Sequence, residues 1–269
     1  MIQPEVFLAA LAGLLLGSFL NVCIFRWPRD LSVLQPSRSM CPECEQTIAW
    51  YDNLPILSFV LLKGRCRNCQ APISWQYPLV ELLTAVCFGS AVYQHGLTLP
   101  ALKLAVYSWL ILGCIFADFA DRILPDEFTL GGVVIALVFA VFVPLPPGLP
   151  SLFVPSDWPE PARSVIEALF GGGFPSLSIF LVGELYYRIR KKDGLGLGDV
   201  KMIATMGAFY GLSPTLLAIL GGSFGGSLIS LAFLYLSKKD SGTYELPFGS
   251  FLGIASLLLV HFERFTPQG

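Results

Sequence analysis

Charge is scarce in this chain and histidine scarcer. Only 13% of its 269 residues are Asp, Glu, Lys or Arg, where a soluble domain carries about a quarter; 54% are hydrophobic. An ordinary soluble enzyme is thereby excluded, and the expected class is an all-α polytopic membrane protein. The net charge of −2 offers no basic excess for nucleic acid. The two histidines, His95 and His261, fall near the ends of apolar runs and read as interfacial residues. No His-Glu-x-x-His run is present, and no Ser–His or Cys–His pair can form on the side that carries the acids described below. Residues 1–5 lack the positive charge of a cleavable signal peptide, so the first apolar run is expected to be a retained helix. No internal repeat is evident.

What the chain has in abundance is long apolar runs. A helix needs about 20 apolar residues to span hydrocarbon, and eight runs approach or reach that length: Val6–Phe25, Leu79–His95, Ala101–Asp118, Phe128–Pro144, Val165–Tyr187, Val200–Gly211, Thr215–Ser237 and Leu246–Phe262. The sixth is too short for a full bilayer and must sit in a thin or protein-lined region. Gly13 and Gly17, four apart in the first run, give the small-xxx-small spacing of close helix packing. With the N-terminus outside, the cytoplasmic segments are Arg26–Gln76, Phe119–Glu127, Arg188–Lys201 and Lys238–Glu245, and they hold 14 of the 17 Lys and Arg residues. Positive residues remain on the cytoplasmic side, which supports both the count and the orientation. The expected organisation is a first transmembrane helix over 1–26, a cytoplasmic module over 27–76 and a seven-helix membrane core over 77–269.

That module carries four of the seven cysteines. Cys41-Pro-Glu-Cys44 is separated by 21 residues from Cys66-Arg-Asn-Cys69, a spacing that fits a closed tetrahedral zinc site. A polar insert of this size has a small core, and a structural zinc supplies folding energy. Two disulfides fit a reducing cytoplasm poorly, and two symmetric pairs argue against a redox motif. The intervening residues are expected to be strand-like and to wrap the metal. Trp50, Tyr51, Leu54 and Phe59 form either a packed rim or a shelf on the membrane surface. Cys23, Cys87 and Cys114 lie within apolar runs and read as small core residues.

Two carboxylates stand out because an acid at a membrane edge is costly to keep charged. Asp199 ends Gly194-Leu195-Gly196-Leu197-Gly198, just before a run that turns apolar at Met202. Gly196 and Gly198 have no Cβ and leave room for a substrate backbone beside Asp199. Asp118 ends the third run, in which every residue from Leu104 to Ala117 is uncharged, and the loop charges put it on the same side as Asp199. Two adjacent carboxylates cannot both ionise easily and come to share one proton. One then acts as general base on water while the other protonates the substrate, which is peptide hydrolysis without metal or covalent intermediate. Asp121 and Asp126 read as surface or cap charges. Glu81 reads equally as an interfacial anchor or as a group orienting substrate or cofactor.

Several stretches together resemble the type IV prepilin peptidases, whose second aspartate motif is shared with presenilin-like proteases. They are Gly17-Ser18-Phe19-Leu20-Asn21-Val22 with Arg26 and Pro28, the two cysteine pairs, Asn53-Leu54-Pro55 and Tyr77-Pro78-Leu79-Val80-Glu81-Leu82. Asp118 with Leu124-Pro125-Asp126, Gly196-Leu197-Gly198-Asp199 with Lys201, and Pro247-Phe248-Gly249 complete the set. One departure is visible: Ala117-Asp118-Phe119-Ala120-Asp121 stands where the family often has Ile-Asp-x-Asp, which leaves Asp118 in register and displaces the second acid. The resemblance implies catalytic Asp118 and Asp199, with Gly196, Gly198 and Lys201 where substrate approaches, in a multi-pass protein of the bacterial inner membrane. The implied substrate is a prepilin or pseudopilin of a pilus or type II secretion system, cut after a glycine at the cytoplasmic face. The new N-terminus would then be methylated from S-adenosylmethionine, and Glu81 is a candidate for contact with that donor. The alternatives are a proton-coupled transporter using the same aspartates, and a non-catalytic zinc-module scaffold.

Overall fold

The structure, a computed structural model, describes residues 3–35, 38–191, 196–237 and 247–262. Gly194, Leu195 and the whole loop Lys238–Glu245, both part of the expectations above, lie outside the described residues. Each of the eight apolar runs becomes a helix, and among the described residues there is no strand, only two isolated bridges. The chain divides into two compact units, Met1–Phe116 and Ala117–Gly269.

In the first unit, α1 (Pro4–Arg26) packs along α3 (Gln76–His95). The glycine spacing explains how. A Cβ on Gly13 would stand 2.7 Å from Ala85 Cα, and one on Gly17 would stand 2.7 Å from Glu81 Cα. The backbones therefore meet where side chains are absent, as small-xxx-small packing requires. The Asn21 amide strengthens the seam by donating to Tyr77 O at 3.1 Å. Gly17→Leu should cost about 1–3 kcal/mol through overpacking. Thermal unfolding in detergent measures it, and an unchanged midpoint would contradict the close approach. The first part of α4 (Leu99–Asp121) joins this unit, with Trp109 Nε1 donating to Leu16 O at 3.0 Å.

Between α1 and α3 the chain builds the cysteine module, and here the expectation of strand-like connections is corrected. A 3₁₀ turn over Trp50–Asn53 and the five-residue α2 (Leu57–Leu61) occupy the interval. A short repeat also appears, against the sequence reading. The pair Met40–Thr47 forms an antiparallel bridge and so does Arg65–Pro72. Cys41 N–H bonds to Gln46 O and Cys66 N–H to Ala71 O, while Ile48 N–H bonds to Ser39 O and Ile73 N–H to Gly64 O. Glu45 and Gln70 take the same left-handed conformation, at φ 55° and 59°. The same hairpin is thus built twice. Arg67 of the second hairpin forks onto Asp52 of the 3₁₀ turn, at 2.7 and 2.6 Å, and holds that carboxyl below its usual range.

The second unit is organised around α7 (Leu197–Tyr210). Met202, Ile203, Met206 and Phe209 on this helix are essentially inaccessible. Fourteen residues span only about 21 Å, and the helix compensates by packing on α5 (Leu130–Phe142), α6 (Glu160–Arg190), α8 (Leu212–Ser237) and α9 (Phe248–Phe262). The short sixth run is therefore protein-lined, as its length requires. On α6, Gly172 permits the approach, since a Cβ there would stand 2.6 Å from Ala204 O. Among the described residues, four helices, α1, α4, α6 and α8, are long and apolar enough to cross a membrane, and α5 and α9 are shorter apolar helices. α5 begins later than its apolar run because residues 126–129 form turns instead, with Thr129 N–H bonded to Pro125 O and Gly131 N–H to Asp126 O.

Candidate active site

Asp118 lies in the last turn of α4 and Asp199 in the first turn of α7, both within the second unit. Two ties draw these helix ends together. Lys201 Nζ pairs with Asp126 Oδ1 at 2.6 Å, and Thr205 Oγ1 donates to Thr129 O at 2.7 Å. The loop that follows Asp118 is thus fastened to the helix that carries Asp199. Asp126, read as a cap or surface charge, is the exposed partner of Lys201.

The two carboxylates face one small volume against the start of α9. A Cβ on Gly249 would lie 3.0 Å from Asp199 Oδ1 and 3.2 Å from Asp118 Oδ2. Only a residue without a side chain lets both acids close on this backbone. Asp118 is buried, and its Oδ2 accepts the Ser250 N–H at 2.7 Å and the Ser250 hydroxyl at 2.8 Å. Those two donors hold its Oδ2 against the start of α9. Asp199 is half-buried, and its own N–H bonds to Gly196 O at 3.2 Å as α7 begins. Ser250 was not singled out in the sequence. Its only signal was its place after Pro247-Phe248-Gly249, since a serine opening an apolar helix looks like many others.

A Cβ on Gly196 would stand 3.4 Å from Asp199 Oδ2, so the glycines before Asp199 bear directly on the space around its carboxylate. Gly196 sits at φ −72°, ψ 139°, which any residue adopts. Gly198 abuts Leu124, where a Cβ would stand 3.0 Å from Leu124 Cβ. The structure thus gives Gly198 a packing role against the loop after Asp118. His261 lies 11 positions beyond Ser250 on α9, about 17 Å along the helix, outside the reach of the carboxylate pair.

In the first unit the four cysteine Sγ atoms of Cys41, Cys44, Cys66 and Cys69 all lie within 4.8 Å of one another. Cys41 Sγ and Cys69 Sγ are 3.8 Å apart. That is far beyond a disulfide bond of about 2.05 Å, and it matches the edge of a tetrahedron of sulfurs about 2.3 Å from a zinc ion. The backbone N–H groups of Cys69 and Asn68 hold the Cys66 thiol down to about 7. The Ala71 N–H favours the Cys69 thiolate as well, yet burial and the three neighbouring sulfurs push Cys69 up to about 12. Four thiolates crowded in this way need a central cation, so the donor set fits a metal. Glu81 belongs to this unit too; it is buried and accepts the Ile56 N–H at 2.7 Å.

A multi-helix apolar protein with two convergent carboxylates at helix ends has the form of a membrane-embedded aspartyl hydrolase. Its relatives narrow the class. Residues 11–95 match the bacterial peptidase A24 N-terminal domain and residues 104–231 the type IV leader peptidase family. A prepilin leader peptidase/N-methyltransferase of Pseudomonas putida is 32% identical over 284 residues, covering 96% of this chain and 91% of the relative. One from Pseudomonas aeruginosa is 33% identical, covering 91% and 86%. The type 4 prepilin-like proteins leader peptide-processing enzyme of Escherichia coli is 33% identical, covering 95% and 93%. No solved structure matches. The chain belongs to the type IV leader peptidase family. Nothing in these comparisons supports the transporter alternative.

Proposed function

We propose that this chain is a multi-pass inner-membrane endopeptidase that removes the short basic leader of a prepilin or pseudopilin after a glycine and methylates the new N-terminus. The observation that carries the peptidase reading is the convergence of Asp118 and Asp199 on Gly249. Sharing one proton, the ionised member takes a proton from water as it attacks the scissile carbonyl, and the protonated member supplies one to the carbonyl oxygen or leaving amine. Ser250 holds Asp118 in position for this exchange. The distribution of loop charges supports a cytoplasmic face for the pair, with the N-terminus outside.

The four cysteines hold a structural zinc, a role distinct from the chemistry at the aspartates. Methylation draws on S-adenosylmethionine, which when bound supplies a methyl group to the amine freed by cleavage.

The test is the purified chain in lipid with a prepilin and S-adenosylmethionine, followed by mass spectrometry of the product. Loss of the leader together with one added methyl group is expected; an intact prepilin would overturn the reading. Lys201→Met separates two roles in the same assay. Its pair with Asp126 is partly exposed and contributes about 1 kcal/mol or less, so cleavage should fall less than about tenfold. A loss of a hundredfold or more would place Lys201 at the substrate instead.

A further inference from the structure

Leu124 lies six positions after Asp118 in the chain, and the loop turns it back toward the carboxylates. As α4 ends, Arg122 takes φ 58°, in the left-handed region, and its N–H bonds to Asp118 O at 3.1 Å. Pro125 follows and biases Leu124 toward an extended backbone. Beyond it, the ties of Asp126 to Lys201 and of Thr129 to Thr205 fasten the loop to α7. The reversal lays Leu124 against the first turn of that helix. A Cβ on Gly198 would stand 3.0 Å from Leu124 Cβ and 3.1 Å from Leu124 Cδ1.

The same side chain reaches the point where the acids meet. The position a Cβ on Gly249 would take, 3.0 Å from Asp199 Oδ1 and 3.2 Å from Asp118 Oδ2, is also 3.2 Å from Leu124 Cδ1. Two carboxylates and one methyl group thus close on a single point. Gly198 and Gly249 offer bare backbone there, and Leu124 supplies the bulk. It is half-buried, so part of its side chain stays open to an arriving peptide.

A peptide cut by this pair must bring its scissile carbonyl within about 2.6–3.2 Å of the carboxylates. The Cα that carries this carbonyl is one bond further away, and any Cβ is one bond beyond that. With Leu124 Cδ1 a single contact from the acids, such a Cβ competes with the leucine methyl for the same space. A glycine has no Cβ and passes.

We propose that Leu124 is the specificity-determining residue for the position before the scissile bond, admitting glycine and rejecting residues that carry a side chain. The inference rests on the aspartate-pair peptidase reading above and names the wall that enforces its glycine. Leu124 takes no part in the proton exchange. Its effect is steric and graded, since one carbon more or less in an apolar site changes discrimination by roughly 10–200-fold.

The full-length chain in lipid is given two prepilins that differ only in glycine or alanine before the scissile bond. The kcat/KM for each is measured in wild type, Leu124→Met and Leu124→Ala. Wild type should favour glycine by at least about tenfold. Methionine, of similar volume, should keep that preference, and alanine should narrow it by about tenfold. A merely structural lesion would slow both substrates alike and leave the ratio unchanged, so an unchanged ratio in Leu124→Ala would overturn the proposal. A second measurement needs no cleavage. A photoreactive diazirine analogue of leucine is placed at position 124 of the Asp199→Asn chain and irradiated with the glycine prepilin bound. Cross-links are expected at the residues adjoining the scissile bond, and bound prepilin linked only elsewhere, or not at all, would overturn the placement. Wild type that cuts both prepilins alike would overturn the selectivity. Wild type that cuts neither would overturn the peptidase reading itself.

Discussion

Alanine at Asp118 or at Asp199 should lower leader removal at least about a thousandfold, because each removes one half of a shared proton exchange. The two losses should be similar. Without Asp199, Asp118 is still held on its Oδ2 by Ser250, yet nothing is left to complete the proton relay. Without Asp118, Asp199 faces Gly249 alone and has lost the neighbour that makes one proton suffice for two acids. Methylation of a peptide supplied already cleaved should persist in both variants, since it breaks no peptide bond and needs no shared proton at the aspartates. Steady-state cleavage and methyl incorporation, measured on the same preparations, check both halves. Cleavage within tenfold of wild type in either variant would remove the aspartate pair from the mechanism.

The second large effect is expected at the cysteines. Cys41→Ser or Cys66→Ser should collapse the yield of folded protein, with the protein that survives retaining its cleavage rate per molecule. Among the described residues, the module between α1 and α3 has two hairpins, two 3₁₀ turns and a five-residue helix, too little to bury a core of its own. Binding energies of structural zinc in small peptides run to about 10–16 kcal/mol, so the metal dominates the stability of such a segment. Metal analysis of the purified chain should find one zinc per molecule, and a strong chelator should lower the unfolding temperature. Equal yield and equal thermal stability after loss of the metal would make the site something other than structural.

What could be read from the sequence was local or governed by spacing. Gly13 and Gly17 announced a helix contact through their interval, and the paired cysteines announced a shared centre through theirs. Asp118 and Asp199 were legible because a lone acid at the end of an uncharged run has few cheap explanations. What escaped depended on long-range closure. The hydrogen bonds from Ser250 to Asp118 join residues 132 positions apart, and no local pattern marks such a serine. Ile56, at φ 58°, donates its N–H to Glu81, 25 residues away, and no local pattern marks that pairing either. The doubled hairpin went unnoticed because, beyond the cysteines, few residues recur: Ile48 and Trp50 have counterparts in Ile73 and Trp75, and most side chains between differ. Its likeness lies in backbone hydrogen bonds, which sequence identity does not record. The contact of Gly198 with Leu124, 74 residues away, was likewise invisible in the sequence.

The central claim is that the convergence of Asp118 and Asp199 on Gly249 performs the cleavage. Its most direct test is single-turnover leader removal at saturating prepilin in Asp118→Asn and Asp199→Asn, with prepilin binding measured on the same samples. Asparagine preserves the shape and keeps one acceptor oxygen, while its amide nitrogen, a donor, abolishes the shared proton. The account predicts that both variants bind prepilin as wild type does and cut it at least about a thousandfold more slowly. Bound prepilin cut by either variant at near the wild-type rate would contradict it.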